Sequence, residues 1–358
     1  MTSKTVLPPL TQIPASLQTI ADYEIDAEKH LPEMVWHYLQ GGAMNEISVR
    51  NNLAQFQNLH LIPRMLRDLT QGNTSCEILG QSFPHPIFVA PIGHQQQFHP
   101  EAEAATALAA EVLGSNMILS TFTNTDMRTF KSEHPYKWFQ LYWQGDRDKS
   151  LALLKLAEAQ HFTAIVITVD SPHTGIRDRE RRAFFHLPEN MQHPHTPAHI
   201  PLPELQEGDH PVFNGLMKIA PTWDDIAWMV QQTDLPILLK GIVSPLDAQL
   251  AIQHGIQGLI VSNHGGRVLD TCIPPLKALQ LIKKAVPHDF PLLYDRGVRR
   301  GSDVFKAIAL GASAVLVGRP CIYGLATAGA LGVAHVLKIL KEEFEITMAL
   351  MGTATLAD

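Results

Sequence analysis

The sequence predicts an α/β chain folded as a (β/α)8 TIM barrel, with a helical extension before the barrel and a long loop after the fourth strand. Three observations carry this prediction. Short apolar, β-prone runs alternate with helix-like segments eight times over about 250 residues. Polar side chains gather where those runs end, the place where a barrel of this kind does its chemistry. The last two runs each open into a loop of glycine and arginine ahead of a helix. A doubly wound open sheet is the structural alternative.

Taken in order, residues 1 to about 22 are proline-rich and irregular. A helix is expected from Ile25 to Leu39, where Leu31, Val35, Tyr38 and Leu39 recur at near-helical spacing and Gly41 and Gly42 stop it. Strands are expected at Ile87 to Ala90, Met117 to Ser120, Lys137 to Tyr142, Ala164 to Val169, Pro236 to Lys240, Gly258 to Ser262, Pro291 to Asp295 and Ala314 to Gly318. The helices that follow them run from Pro100 to Leu113, Asp126 to Ser132, Asp146 to Gln160, Thr222 to Gln232, Ser244 to Gln253, Pro275 to Ala285, Gly301 to Leu310 and Gly324 to Phe344. The whole of 1–358 is read as one barrel domain. Strands four and five stand about 70 residues apart, too far for a plain connection. Between them Leu187 to Ile219, rich in His and Pro, reads as a lid-like insertion or a partly disordered loop. The histidines in and beside it, His186, His193, His195, His199 and His210, follow no ligand-like spacing, so no metal is assigned.

Composition narrows the function. With 358 residues, 45% of them hydrophobic and 18% charged, the chain has the balance of a globular protein. A net charge of -7 argues against nucleic acid or an anionic membrane as the main partner, so an anionic ligand needs a local cluster of arginines. Cys76, Cys272 and Cys321 are few and far apart, which suggests neither disulfides nor zinc. The N-terminus lacks a secretory pattern, and no stretch of about 20 apolar residues stands out to span a bilayer, so a soluble, cytoplasmic protein is expected.

The stretch LIVSNHGGRVLD, residues 259–270, carries the most chemistry. Its apolar start is a buried strand that delivers His264 and Arg267 to the loop beyond it. An imidazole takes a proton near neutral pH, and a guanidinium binds a carboxylate through two hydrogen bonds. Together they point to proton abstraction from a small carboxylic acid. Gln140, Tyr142, Thr168, Asp170, Lys240 and Ser262 fall at the ends of other expected strands. After strand seven come Gly297, Arg299, Arg300 and Gly301, and after strand eight Gly318 and Arg319. Glycines let backbone N–H groups approach an anion, and the helix N-terminus and arginines hold it, so a phosphate-bearing cofactor or substrate is implied.

These residues resemble those of the FMN-dependent 2-hydroxy acid oxidases and dehydrogenases, a family that includes glycolate oxidase, lactate oxidase and the lactate and mandelate dehydrogenases. The resemblance runs from about Tyr23 to Gly352 through YLQGGAMNE, WFQLYWQGDRD, TVDSPHTGIRDRE, LLKGI, SNHGGRVLD and DRGVRRGSDVFKAIALGA, in the family's order. It implies FMN as cofactor and oxidation of a small, lactate-like L-2-hydroxy acid to the 2-oxo acid, with oxygen or another acceptor taking the electrons. By the same resemblance His264 is the base, Asp170 its supporting carboxylate, and Arg267 and Arg177, with the phenol of Tyr38, the anchors of the substrate carboxylate. Tyr142 is placed near the substrate oxygen and Lys240 beside the flavin pyrimidine. Ser120, Gln140, Thr168 and Ser262 are flavin and ribityl contacts, Pro91 and Gly93 lie against the flavin, and Asp295, Gly297, Arg299, Gly318 and Arg319 belong to the ribityl and phosphate site. A homotetramer is implied as well.

Four positions depart from the family pattern: Arg296 where Gly or Ser is usual, Val268 for Gln, Phe122 for Trp or Tyr, and Gly93 for Ala. Arg296 falls near the flavin tail, where it either adds a phosphate contact or points to solvent. Phe122 favours an apolar substrate side chain. Gly93 bears on oxygen access to the flavin. Two other functions fit parts of the pattern. A non-redox flavin or phosphate-sugar barrel, such as an isomerase, shares the phosphate loops but leaves Arg177, Arg267 and Tyr38 without a task. A catalytically silent barrel predicts lost active-site side chains, and the main ones are present.

Overall fold

The computed structural model describes residues 5–189, 191, 193–196 and 202–358. Eight strands form one parallel sheet: β3 (Ile87–Val89), β4 (Ile118–Ser120), β5 (Trp138–Tyr142), β6 (Ala164–Thr168), β7 (Ile237–Ile242), β8 (Gly258–Val261), β9 (Leu292–Asp295) and β10 (Ala314–Val317). They pair in the order β3-β10-β9-β8-β7-β6-β5-β4. The two ends meet through a parallel bridge between Val89 and Met117, which closes the sheet into a barrel. The expected (β/α)8 architecture is present, and all eight strands lie where the apolar runs place them.

These runs form strands because both faces are covered. In β6, β8, β9 and β10 every residue is buried, as a parallel sheet sheathed by helices requires. Alternate residues then sort into two cores. Phe88, Ile118, Trp138, Val166, Leu238, Ile260, Leu293 and Leu316 pack together inside the barrel, and their neighbours pack outward on the helices.

A two-stranded hairpin that the sequence reading missed, β1 (Cys76–Ile78) and β2 (Gln81–Phe83), joins the inner core. Its Phe83 ring lies 4.6 Å from Phe88 and 6.2 Å from Trp138, and the Trp138 indole donates to Gln81 Oε1 at 2.8 Å. Trp138 opens β5 and Phe88 lies one residue into β3, so the hairpin plugs the end of the barrel opposite the site.

Seven helices follow strands much as expected: α4 (Ala102–Leu113), α5 (Arg147–Ala159), α7 (Trp223–Val230), α8 (Pro245–Gln253), α9 (Pro275–Lys283), α10 (Gly301–Ala309) and α11 (Arg319–Met351). The helix expected at Asp126 to Ser132 is absent. Met127 and Phe130 are the only apolar residues there, and the segment makes tight turns from Asp126 and Met127 instead. The helix expected from Ile25 to Leu39 is two. α1 (Ile20–Ala27) starts earlier, on a capping box between Thr19 and Asp22, and α2 (Glu33–Gln40) starts after Pro32, which forces Leu31 into an extended conformation. Two further helices, α3 (Ile47–Gln57) and the short α6 (Asp178–Arg182), were not anticipated.

α11 begins at Arg319 rather than Gly324 and continues to Met351, broken only at Ala328 and Gly329. One of its windows is apolar enough to cross a bilayer, against the expectation of no such stretch, but 78% of that window is buried in the protein, as in a core helix. In the long insertion, His195 is fully buried and its Nε2 accepts from Met127 N at 2.8 Å, while the His193 ring meets His94 at 5.1 Å. His199 lies outside the described residues. Among the described residues no group of three or more His, Cys, Asp or Glu is placed to hold a metal.

Candidate active site

The C-terminal ends of the strands converge on one mouth, and the candidate residues stand around it. Ser120 ends β4, Tyr142 ends β5, Thr168 ends β6 and Asp295 ends β9; Ser262 follows β8, Gly318 follows β10, and Pro91 and Gly93 follow β3. Lys240 lies inside β7, just before a register shift at Gly241. Gly241 has φ +109, and a Cβ there would lie 2.4 Å from Asp170 Cβ and Cγ. Glycine at that bulge is what lets Asp170 reach the centre of the site.

His264 stands at the head of a single turn after β8, with φ +54. Its Nδ1 lies 2.8 Å from Asp170 Oδ1, and its Nε2 lies 3.3 Å from the Tyr142 hydroxyl. Asp170 as acceptor places the imidazole proton on Nδ1 and leaves Nε2 free to take another. Burial pushes the His264 pKa below its ordinary value, and the Asp170 carboxylate pulls the other way. Burial likewise opposes ionisation of Asp170, but the imidazole, its hydrogen bond and Lys240 hold that carboxyl below the usual range. Burial raises the Tyr142 phenol well above its usual range, so it stays protonated and donates.

The carboxylate anchors are held by the N-terminal extension. Arg267 Nη1 donates to the carbonyls of Tyr38 and Gly41, both at 2.7 Å, and Arg319 Nε donates to Leu39 O at 2.8 Å. The last carbonyls of α2 have no intrahelical partner, and two guanidiniums satisfy them. This tie brings Tyr38 over the mouth, with its ring stacked on Phe185 at 4.3 Å and the Arg267 guanidinium 4.8 Å from its centre. Arg177 Nε donates to Arg267 O at 3.1 Å, and Glu180 accepts from both Arg177 and Arg267.

The polar contacts on the other side form a second network. Lys240 Nζ lies 3.0 Å from Asp295 Oδ2 and donates to Ser262 Oγ at 3.2 Å, and Ser262 Oγ donates to the same Asp295 oxygen. Gln140 Oε1 accepts from Ser120 Oγ and Thr121 N. Yet Gln140 Nε2, Thr168 Oγ1 and Asp295 Oδ1 are buried with no hydrogen-bond partner. Buried polar atoms on three strands, β5, β6 and β9, that open on one mouth are what a polar ring and its hydroxylated tail satisfy, so the residues present fit a flavin nucleotide.

The loops read as a phosphate site are less uniform. Gly318 precedes Arg319 at the N-terminus of α11, aimed into the mouth. Gly297, at φ +78, packs against α3, where a Cβ would lie 1.9 Å from Asn52 O. The Arg299 guanidinium turns toward α1, with Nε 3.8 Å from Glu24 and its centre 5.7 Å from the Tyr323 ring. Gly93 packs on Phe122, whose Cβ would lie 2.6 Å from a Cβ there. The two departures from the family pattern are therefore coupled.

Sequence reasoning missed four contributors. Besides Glu180 and Gly241, Asn52 on α3 exchanges two 2.9 Å hydrogen bonds with Asn263 of the His264 loop. Asp270, at the end of the same motif, accepts from Asn45 N and Ser48 N and so anchors the start of α3. The partners of Asn52 and Asp270 lie more than 200 residues away, so no local spacing marks those two.

Comparison with known proteins agrees with this geometry. A family model described as FMN-dependent dehydrogenase matches residues 27–358. The chain belongs to the FMN-dependent dehydrogenase family. It is 44% identical over 346 residues to an L-lactate oxidase of Roseobacter sp. (strain GAI101), covering 95% of this chain and 92% of that one. To the glycolate oxidase of Spinacia oleracea it is 38% identical, covering 96% and 94%. A crystal structure of mandelate oxidase with (S)-2-phenylpropionate superposes with a TM-score of 0.85 at 38% identity, covering 95% and 96%. FMN is thus the cofactor of this family member, which is an enzyme.

Proposed function

We propose that this FMN-dependent enzyme oxidises a small, lactate-like L-2-hydroxy acid to the 2-oxo acid, with molecular oxygen as the electron acceptor. The observation that carries the reading is the His264–Asp170 pair facing Tyr142 in a mouth bordered by Arg177, Arg267 and Tyr38. The two arginines and the Tyr38 phenol hold the substrate carboxylate. That sets the hydroxyl-bearing carbon and its hydroxyl beside His264 Nε2, which takes a proton from the substrate. Asp170 then holds the imidazolium by charge and by the Nδ1 hydrogen bond. Tyr142 donates to the substrate oxygen.

Bound FMN supplies the two-electron acceptor that side chains do not offer. Ser120, Gln140, Thr168 and Ser262 contact its ring and ribityl chain, with Pro91 and Gly93 against the ring. Lys240 places a cation beside the pyrimidine, and Asp295, Gly297, Arg299, Gly318 and Arg319 take the tail. L-lactate oxidases and glycolate oxidases among the relatives favour oxygen as acceptor and a redox reaction over the isomerase alternative. Phe122 lies 5.1 Å from Tyr142 and 5.3 Å from His94, so apolar and aromatic surface faces the substrate side chain.

We read the chain as a single domain that works as a cytoplasmic homotetramer, with the insertion at 187–219 as a cover over the mouth. The test of the reaction is oxygen consumption with L-lactate, glycolate and L-mandelate. Turnover with at least one of them, releasing the 2-oxo acid, is expected. Turnover that needs an artificial dye and leaves oxygen untouched would make the enzyme a dehydrogenase.

A further inference from the structure

We propose that Arg296 is an additional cofactor-binding residue of this chain, one whose guanidinium grips the FMN phosphate between the loops that follow β8 and β10. The inference rests on the FMN reading above and, for a side chain outside the resemblance-based site assignments, decides between the phosphate contact and the solvent-facing placement that the sequence left open.

Four features of the residue point the same way. Its backbone has φ +122, a conformation that side-chain-bearing residues rarely adopt, so the surrounding fold holds it there at a cost. The side chain turns inward and is 14% exposed. Its guanidinium lies between two glycines on separate loops. A Cβ at Gly265 would come within 3.2 Å of Nε, and one at Gly318 within 3.1 Å of Nη1. Finally, Nε is buried without a hydrogen bond, although it lies 3.1 Å from Asp295 Oδ2.

The surrounding charge calls for an anion. Asp295 is the only carboxylate in direct ion-pair contact with Arg296 among the described residues, Asp170 feels the Arg296 charge from farther off, and Lys240 shares the Asp295 oxygen. Among the described residues Arg319 makes no carboxylate pair; its donors go to carbonyls of Leu39, Gln40, Gly41 and Gly265. Burial, then the neighbouring guanidiniums, push Arg319 down to about 9. A dianion relieves that crowding. Phosphate is favoured over a substrate carboxylate because Gly318, next to Arg296 Nη1, is also the N-cap of the 33-residue α11, whose free N–H groups add to the same spot. A guanidinium fork matches phosphate oxygens better than an ammonium does.

The test strips flavin from the purified protein and titrates the apoprotein with FMN and, separately, with riboflavin, which lacks the phosphate. Flavin fluorescence reports binding for wild type, Arg296→Gly and Arg296→Lys. Glycine relieves the backbone and is expected to fold. It should raise the Kd for FMN by roughly ten- to a hundredfold, with a shallower dependence on salt, and change the Kd for riboflavin by less than about twofold. Lysine should fall between the two. An FMN affinity unchanged in Arg296→Gly, or one that falls equally for riboflavin, would overturn the proposal. Wild-type apoprotein that takes up neither flavin would instead remove the FMN reading on which it rests.

Discussion

A histidine buried beside a carboxylate is poised between two opposed effects. Burial favours the neutral ring of His264, while Asp170 favours the imidazolium and fixes the proton on Nδ1. Because burial has the larger effect, the ring is neutral and able to act as base down to a pH below its ordinary value near 6.5. The acid limb of kcat/KM is therefore expected below pH 6.5. Asp170→Asn removes the charge that raises the His264 pKa, so the limb moves to still lower pH. The imidazolium formed during reaction also loses its partner, and kcat falls by roughly a hundredfold. A pH–rate profile of the two proteins checks both signs; a limb that moves upward contradicts this account of the pair. His264, Arg267 and Asp170 are legible in the sequence because each belongs to a short motif at a strand end. Glu180 and Asn52 are not, since their roles arise only when distant segments meet.

At the scale of elements, the mouth is built by ties that reach across the chain. Arg267 and Arg319 complete the end of α2, Asp270 completes the start of α3, and Asn263 pairs with Asn52. The extension is thus one wall of the site. Its hydrophobic period was visible, but the break at Pro32 divided the expected helix, and α3 has only a weak apolar face, with Phe56 as its one large buried apolar side chain. The β1–β2 hairpin escaped for a related reason: three-residue strands carry almost no period. Its contribution is measurable all the same. Phe83→Ala should cost about 3–5 kcal/mol in denaturant unfolding, because its ring fills the end of the barrel between Phe88 and Trp138. The flavin absorption spectrum should stay unchanged, since the hairpin lies at the other end from the mouth. A spectrum that shifts with Phe83→Ala would contradict that separation.

For the whole molecule, eight buried parallel strands were readable because parallel strands sheathed by helices are apolar throughout, and the count alone favours a closed barrel over an open sheet. The insertion after β6 was readable only as a length. Of its histidines, His195 packs with Nε2 against the Met127 N–H. Quaternary structure belongs to this scale too: light scattering is expected to give about four times the 39.7 kDa chain mass, and a monomer would contradict the homotetramer. The central claim is that FMN and His264 act together on a 2-hydroxy acid. The most direct measurement is an anaerobic titration of wild type and His264→Ala with L-lactate, following flavin absorption. The account predicts a yellow protein in both, bleached by the acid in wild type and unbleached over the same period in His264→Ala, with colour restored to wild type by air. Bleaching at the wild-type rate in His264→Ala, or a wild-type flavin that stays oxidised with L-lactate, glycolate and L-mandelate alike, would contradict it.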